Sequence, residues 1–248
     1  MQLPVYMTMF LQRHFSSSFE FIECQKVVKY FAFQPFYCNF VAMNIQDSKN
    51  IRMSENIIIV DGDYVDKVAF NLIVNFERML NRQIPAADFS QWVVAIALDG
   101  RLKPGNHETQ VVVLHDKNNS KFENFMPANF ESELNKKAFK DEQLGEFIIN
   151  TIATGSQMTD KDAVLLDVLK IALNHNDVHR IMIVPNAEDS NVYDVIRNTV
   201  KDADDEEKHI TMFAMMPMEG GNFKQQILGY PLMNAMGIRA EEIERKIK

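Results

Sequence analysis

From residue 56 onward the chain alternates short, wholly apolar runs with longer stretches whose apolar residues recur every three or four positions. The runs NIIIV (56–60), TQVVVLHD (109–116), EFIINTI (146–152), RIMIV (180–184) and HITMFAM (209–215) predict strands. Apolar residues in direct succession belong to strands covered on both faces. Residues 64–82 place Val65, Val68, Ala69, Leu72, Ile73, Phe76, Met79 and Leu80 at helical spacing. A second helix of about ten residues is predicted after Pro85, with Asp88 as its N-cap. The stretch ANFESELNKKAF (128–139) predicts a polar helix. Residues 159–175 predict a helix opened by a Thr cap, with Val164, Leu165, Val168, Leu169, Ala172 and Leu173 on one face. Another helix is expected over 187–200, an exposed acidic connection over 201–208, and one or two short helices in the tail, broken at Gly237. Strands alternating with helices predict an α/β fold: a Rossmann-like parallel sheet of about five strands with helices on both faces.

Residues 1–52 do not share this regularity. They are crowded with Phe and follow neither helical nor strand periodicity, so they read as an atypical N-terminal extension to a single domain over 53–248. Either the true start is Met43 or Met53, or the segment is a hydrophobic arm that docks on the body or on a partner. A formal net charge of -8 argues against a broad basic surface tracking a phosphate backbone, which would need clustered Lys and Arg. It leaves room for an enzyme that reaches nucleic acid through a small basic rim and bridging metal ions. Cys24 and Cys38 form no metal spacing, which suits a reduced, cytoplasmic setting. No apolar run approaches the roughly 18 residues of a membrane span, and the N-terminus lacks the pattern of a secretory leader.

In a parallel α/β sheet the chemistry gathers at the carboxyl ends of the strands. There the sequence places Asp61, Gly62 and Asp63; then His115 and Asp116; then Thr151 and Thr154, leading to Asp160 and Asp162; then Ala187, Glu188 and Asp189. Carboxylates at several strand ends suit Mg²⁺ or Mn²⁺, which take hard oxygen ligands, and two such ions roughly 4 Å apart clamp a phosphodiester. Each Asp also reads as a helix cap worth about 1 kcal/mol, above all Asp160 and Asp189, while Asp61 and Asp63 stand open between the two roles. His115 reads as a strand-end histidine and Trp92 as core or rim packing. Thr151, Thr154 and Ser156 have no evident His or Lys partner for a nucleophilic triad, and no glycine-rich phosphate cradle is present.

The stretch IIIVDGDYVDKVAFNL resembles the first strand and turn of the NYN/PIN-like nuclease superfamily. DKDAVLLDVLKIALNHNDVHRIMIVPNAEDSNVYDVIRNTV resembles that family's acidic helix, following strand and Ser-Gly-Asp-x-Asp-Phe turn. The order of elements agrees over residues 56–215, about two thirds of the chain. The resemblance implies a metal-dependent ribonuclease: Asp61 as first metal ligand, Asp63 beside it, Asp162 or Asp167 from the acidic helix, and Asp189 from the later turn. Two positions depart from the pattern: Ala187 stands where that turn has its first Asp, and Tyr64 where the first turn has Asn. They leave a degenerate, non-catalytic member as the alternative outcome. The middle and C-terminal parts also resemble conserved proteins of Bacteroides-like bacteria to which no activity is attached.

Asp61-Gly62-Asp63-Tyr64-Val65 is also similar to the D-x-D-x-[TV] loop of haloacid-dehalogenase-like phosphatases. That resemblance implies Asp61 as nucleophile and Asp63 as general acid/base, with Thr151 or Thr154, Lys161 or Lys170, and Glu188–Asp189 in the remaining roles. A helix that begins at once after Val65 leaves no place for the flap-like hairpin of that family. A non-enzymatic binding module is the third reading, with the Met-rich C-terminal region as an adaptable partner surface.

Overall fold

Strand β2 (Asn56–Asp61) is buried along its whole length. Successive side chains of a strand point to opposite faces, so Ile58 and Val60 enter one hydrophobic cluster while Ile57 and Ile59 enter the other. A strand with two apolar faces needs helices on both sides, and the rest of the fold supplies them. The computed structural model describes residues 22–23, 53–155, 160–188, 191–204 and 206–247.

Around β2 the sheet runs β1 (Ile22–Glu23), β6 (Lys137–Asp141), β7 (Gly145–Thr154), β4 (His107–Asp116), β2, β8 (Arg180–Val184), β9 (His209–Ala214) and β10 (Lys224–Ile227), while β3 (Ala87–Asp88) and β5 (Phe125–Met126) pair separately. From β7 to β10 every neighbouring pair is parallel; β6 and β1 add an antiparallel edge. The six parallel strands therefore follow the doubly wound order 3-2-1-4-5-6. Helices α1 (Gly62–Leu80), α2 (Phe89–Asp99), α5 (Gly229–Ala235) and α6 (Ala240–Ile247) cover the Ile58 face. Helices α3 (Lys161–Asn174) and α4 (Val192–Thr199) cover the Ile57 face. None of the described helices is long and apolar enough to cross a membrane.

The α/β class, the parallel sheet and the two helical layers agree with the sequence pattern; the strand count does not. The body of the chain contributes seven strands to the sheet rather than five, and Ile22–Glu23 adds a short edge strand on β6. The remainder of the N-terminal extension lies outside the described residues, as do Ser156 and the Thr159 cap. The expected helix over 128–139 is not formed. Asn129 caps a π-helical turn, Phe130–Leu134, and the chain reverses through Lys136 at φ 59 into β6. There Phe139 stacks on Phe147 of β7 with centroids 4.9 Å apart, so the apolar residues of this stretch serve a strand. Strand β10, KQQI, is a polar edge strand with no apolar run to betray it. Two other expectations hold: the Asp88 side chain caps α2 through Gln91 N at 2.9 Å, and Gly237, at φ 66, separates α5 from α6. Trp92 is wholly buried, with Phe89 and Phe125 at centroid distances of 5.9 and 5.5 Å.

Asp99, the last residue of α2, has its carboxyl pushed up to about 7 by burial. A carboxylate at a helix C-terminus also faces the negative end of the macrodipole. Because the folded pKa lies above the unfolded one, the native state holds the proton more tightly, and stability falls as pH rises from about 4 to about 7. Asp99→Asn is expected to stabilise the protein by about 1–3 kcal/mol at pH 8 and to be near neutral at pH 4. Urea denaturation at the two pH values checks this, and an equal effect at both would contradict it.

Candidate functional site

The apolar run of β2 ends at Asp61, and α1 begins with the next residue. Asp61 is the N-cap: its Oδ1 accepts from Tyr64 N at 3.0 Å. Gly62 lets the first turn of α1 lie against β4, because a Cβ there would stand 2.9 Å from Val113 Cγ1 and 3.0 Å from the Leu114 carbonyl oxygen. The Asp-Gly-Asp sequence is thus a buried cap, a close approach, and a second carboxylate carried to the strand ends.

Lys161, the first residue of α3, joins the two carboxylates. Its Nζ lies 2.6 Å from Asp61 Oδ1 and 2.7 Å from Asp63 Oδ2. Asp63 also accepts from Asp116 N at 2.8 Å and Asn119 Nδ2 at 2.7 Å, which ties α1 to the end of β4. Asp61 is only 1% exposed, and its Oδ2 has no hydrogen-bond partner among the described residues. Burial raises the Asp61 carboxyl above its ordinary range, although Lys161 and Tyr64 N pull the other way. Burial acts upward on Asp63 too, but hydrogen bonds from Lys161, Asn119 and Asp116 outweigh it and hold that carboxyl low. Burial would lower Lys161; the two carboxylates outweigh it and raise the ammonium pKa. One turn on, Asp66 accepts from Asn124 N at 2.9 Å and Glu123 N at 3.2 Å, fastening the loop after β4.

Of the residues singled out in the sequence, Asp61, Asp63 and Lys161 come together. Asp162 lies in the first turn of α3. Asp167 pairs with Lys170 at 3.4 Å on the outer side of that helix, and Lys170 therefore does not serve the site. Asp189 lies outside the described residues, Ala187 is buried, and Glu188 is exposed. Among the described residues no group of three His, Cys, Asp or Glu side chains is placed to hold a metal ion. The Thr154 hydroxyl is taken by the His115 carbonyl at 2.9 Å, and the His115 ring stacks on Phe130 with centroids 4.0 Å apart. Sequence pattern missed the part of Asn119, which lies in an unpatterned polar loop. The first-turn position of Lys161, downstream of the third parallel strand, was the available signal for its role.

Two recesses meet beside this centre. A crevice of about 200 Å³ runs past Gly62, Asp63 and Asp66. A larger cavity of about 530 Å³ opens over the ends of β4 and β7, bounded by His115, Asn150 and Ile152. Asn119, Ser120 and Phe130 line both. Among the described residues Asn150 Nδ2, buried in this region, has no hydrogen-bond partner. Residues 50–243 match the model of a family of unknown function (DUF6621). Searches of curated proteins and of solved structures returned no match.

Lys161→Gln leaves the buried Asp61 and the half-buried Asp63 carboxylates together without a cation. Both pKa values then rise, so the variant's native state takes up protons and loses stability as pH increases. The expected loss is about 3 kcal/mol at pH 7, shrinking toward pH 4 as the carboxylates protonate. Denaturant titrations of both proteins across that range measure it; a loss independent of pH would refute the charge-pair account.

Proposed function

The chain belongs to DUF6621, a family of unknown function, and we propose that it is a PIN/NYN-like phosphate-ester hydrolase that cleaves RNA phosphodiesters with Mg²⁺ or Mn²⁺. The observation that carries this reading is Lys161 held between Asp61 and Asp63 at the carboxyl end of β2. That end is the switch point of the sheet, between the strands that wind outward in opposite directions.

The donor set suits a loosely caged hard cation. Among the described residues Asp61 Oδ2 is a buried oxygen without a partner, whereas Asp63 is committed to Lys161, Asn119 and the Asp116 amide. Magnesium is commonly held by one or two carboxylates, with water and substrate phosphate completing the shell. Asp61 would hold the ion, joined by Asp162 and Asp189 as the resemblance to the family assigns them; Asp167, paired with Lys170 on the outer side of α3, would not take part. When bound, the ion supplies a water of lowered pKa and polarises the phosphoryl group. Lys161 supplies a fixed positive charge for a non-bridging phosphate oxygen. Asp63, which lines the crevice and is held ionised, fixes that ammonium beside it, and the 530 Å³ cavity would accommodate a nucleoside next to the scissile phosphate.

A second reading, a phosphatase with Asp61 as nucleophile, draws on Lys161 rather than Lys170 reaching the Asp pair. Two features weigh against it. Helix α1 starts at Gly62, with no room for a flap, and the lowered Asp63 pKa suits an anion better than a general acid. The full chain should therefore be assayed with Mg²⁺ or Mn²⁺ on single-stranded RNA and on p-nitrophenyl phosphate. The nuclease reading expects RNA cleavage abolished by EDTA and reduced roughly 100-fold or more in Asp61→Asn and Lys161→Gln. Monoester turnover with an aspartyl-phosphate trapped on Asp61 would favour the phosphatase. No turnover of either substrate would leave a binding module and overturn both hydrolytic readings.

A further inference from the structure

At the other end of the sheet lies a cavity of about 580 Å³ whose wall carries Arg101, Lys103, Arg180, Lys208 and Lys224. Five of the 26 Lys and Arg residues of a chain with net charge -8 surround this one space. Among the described residues none of the five forms an ion pair. Two of the five are fixed in position by carbonyl groups. Arg180 Nη1 donates to the Gly100 carbonyl at 2.6 Å, and Lys208 Nζ donates to the carbonyls of His175 and Val178.

Acidic neighbours are few and engaged elsewhere or peripheral. Glu55, near Arg180, is 2.6 Å from His107 Nδ1, and Glu207 and Asp177, near Lys208, are both exposed. Burial lowers the Arg180 pKa and the adjacent Arg101 lowers it further, as expected for like charges gathered in one recess. Arg101 sits at φ 63 in the turn that ends α2, where its N–H donates to the Leu98 carbonyl at 2.9 Å. The ring of Phe223, set edge-on against Tyr193 at 6.0 Å, adds a flat apolar wall.

We propose that this cavity binds a multiply charged, phosphate-bearing small molecule of nucleotide size, at a site separate from the Asp61 centre. Fixed and mobile cations converging on one space match the several anionic oxygens of a di- or triphosphate. The volume lies within the usual range of small-ligand sites. Separation follows from the register. Arg180 is level with Asn56 and Val184 with Val60, which places the cationic wall at the amino ends of β8 and β9, roughly 15–20 Å along the strands from Asp61.

Isothermal titration calorimetry on the full chain tests the proposal, with ATP, inorganic tripolyphosphate and adenosine as probes. ATP and tripolyphosphate are expected to bind, more weakly as salt rises, and adenosine is expected not to bind. Arg101→Gly, which suits the backbone at that position, combined with the exposed change Lys224→Glu should weaken both at least tenfold while retaining the wild-type circular dichroism. Should the double variant not fold, Lys103→Glu with Lys224→Glu carries the same expectation. Asp61→Asn should bind as the wild type does. The proposal fails if no probe binds at millimolar concentration, if the cationic variants bind unchanged, or if Asp61→Asn abolishes binding. Adenosine binding as tightly as ATP would also overturn it, as would a single-stranded RNA that displaces tripolyphosphate from these residues at lower concentration.

Discussion

The complete burial of β2 is the constraint from which the arrangement follows. Five consecutive apolar or amide-bearing positions leave it no face that water can touch, so helices must be packed on both sides. Winding outward in one direction through β4 and β7, and then in the other through β8, β9 and β10, meets that demand. The same winding leaves a crevice where the two directions part, at the carboxyl end of β2. Asp61 stands there because it is the residue at which the strand must stop and a helix must start.

A carboxylate this deeply buried is costly to keep charged unless a cation and hydrogen bonds accompany it. Lys161 is that cation, and it is brought by α3, the helix that crosses back over the sheet to start the second direction of winding. Removing one member of such a group exposes the others to the full desolvation cost, so the topology and the electrostatics are coupled. Among the described residues, Asp61 Oδ2 is the one atom of the group left without a hydrogen-bond partner.

The two ends of the sheet are electrically unlike. At the carboxyl end, two carboxylates share one lysine; at the amino end, five cations surround a cavity without forming ion pairs among the described residues. Such separation within an acidic chain is not forced by core packing, since Lys103 and Lys224 are exposed. This difference underlies the ligands proposed for the two ends: a metal ion at one and phosphate groups at the other.

Local pattern dictates the five principal parallel strands, because each carries an apolar stretch that suits a strand covered on both faces. It also determined the Asp88 cap and the Gly237 break, which are local: the side chain or the backbone freedom needed lies within a few residues. Tertiary structure alone decided what depended on distant partners. Phe139 reads as helical until Phe147 is placed beside it, and KQQI becomes a strand only because β9 offers an open edge. The meeting of Asp61 with Lys161 joins residues 100 positions apart, a pairing that no local spacing encodes. Likewise Arg101, Arg180 and Lys224 are scattered in the chain, and only the parallel register of β8 to β10 brings their charges to one cavity. Burial patterns are written in neighbouring residues; a site is made by long-range contacts, and those follow from the way the strands are wound.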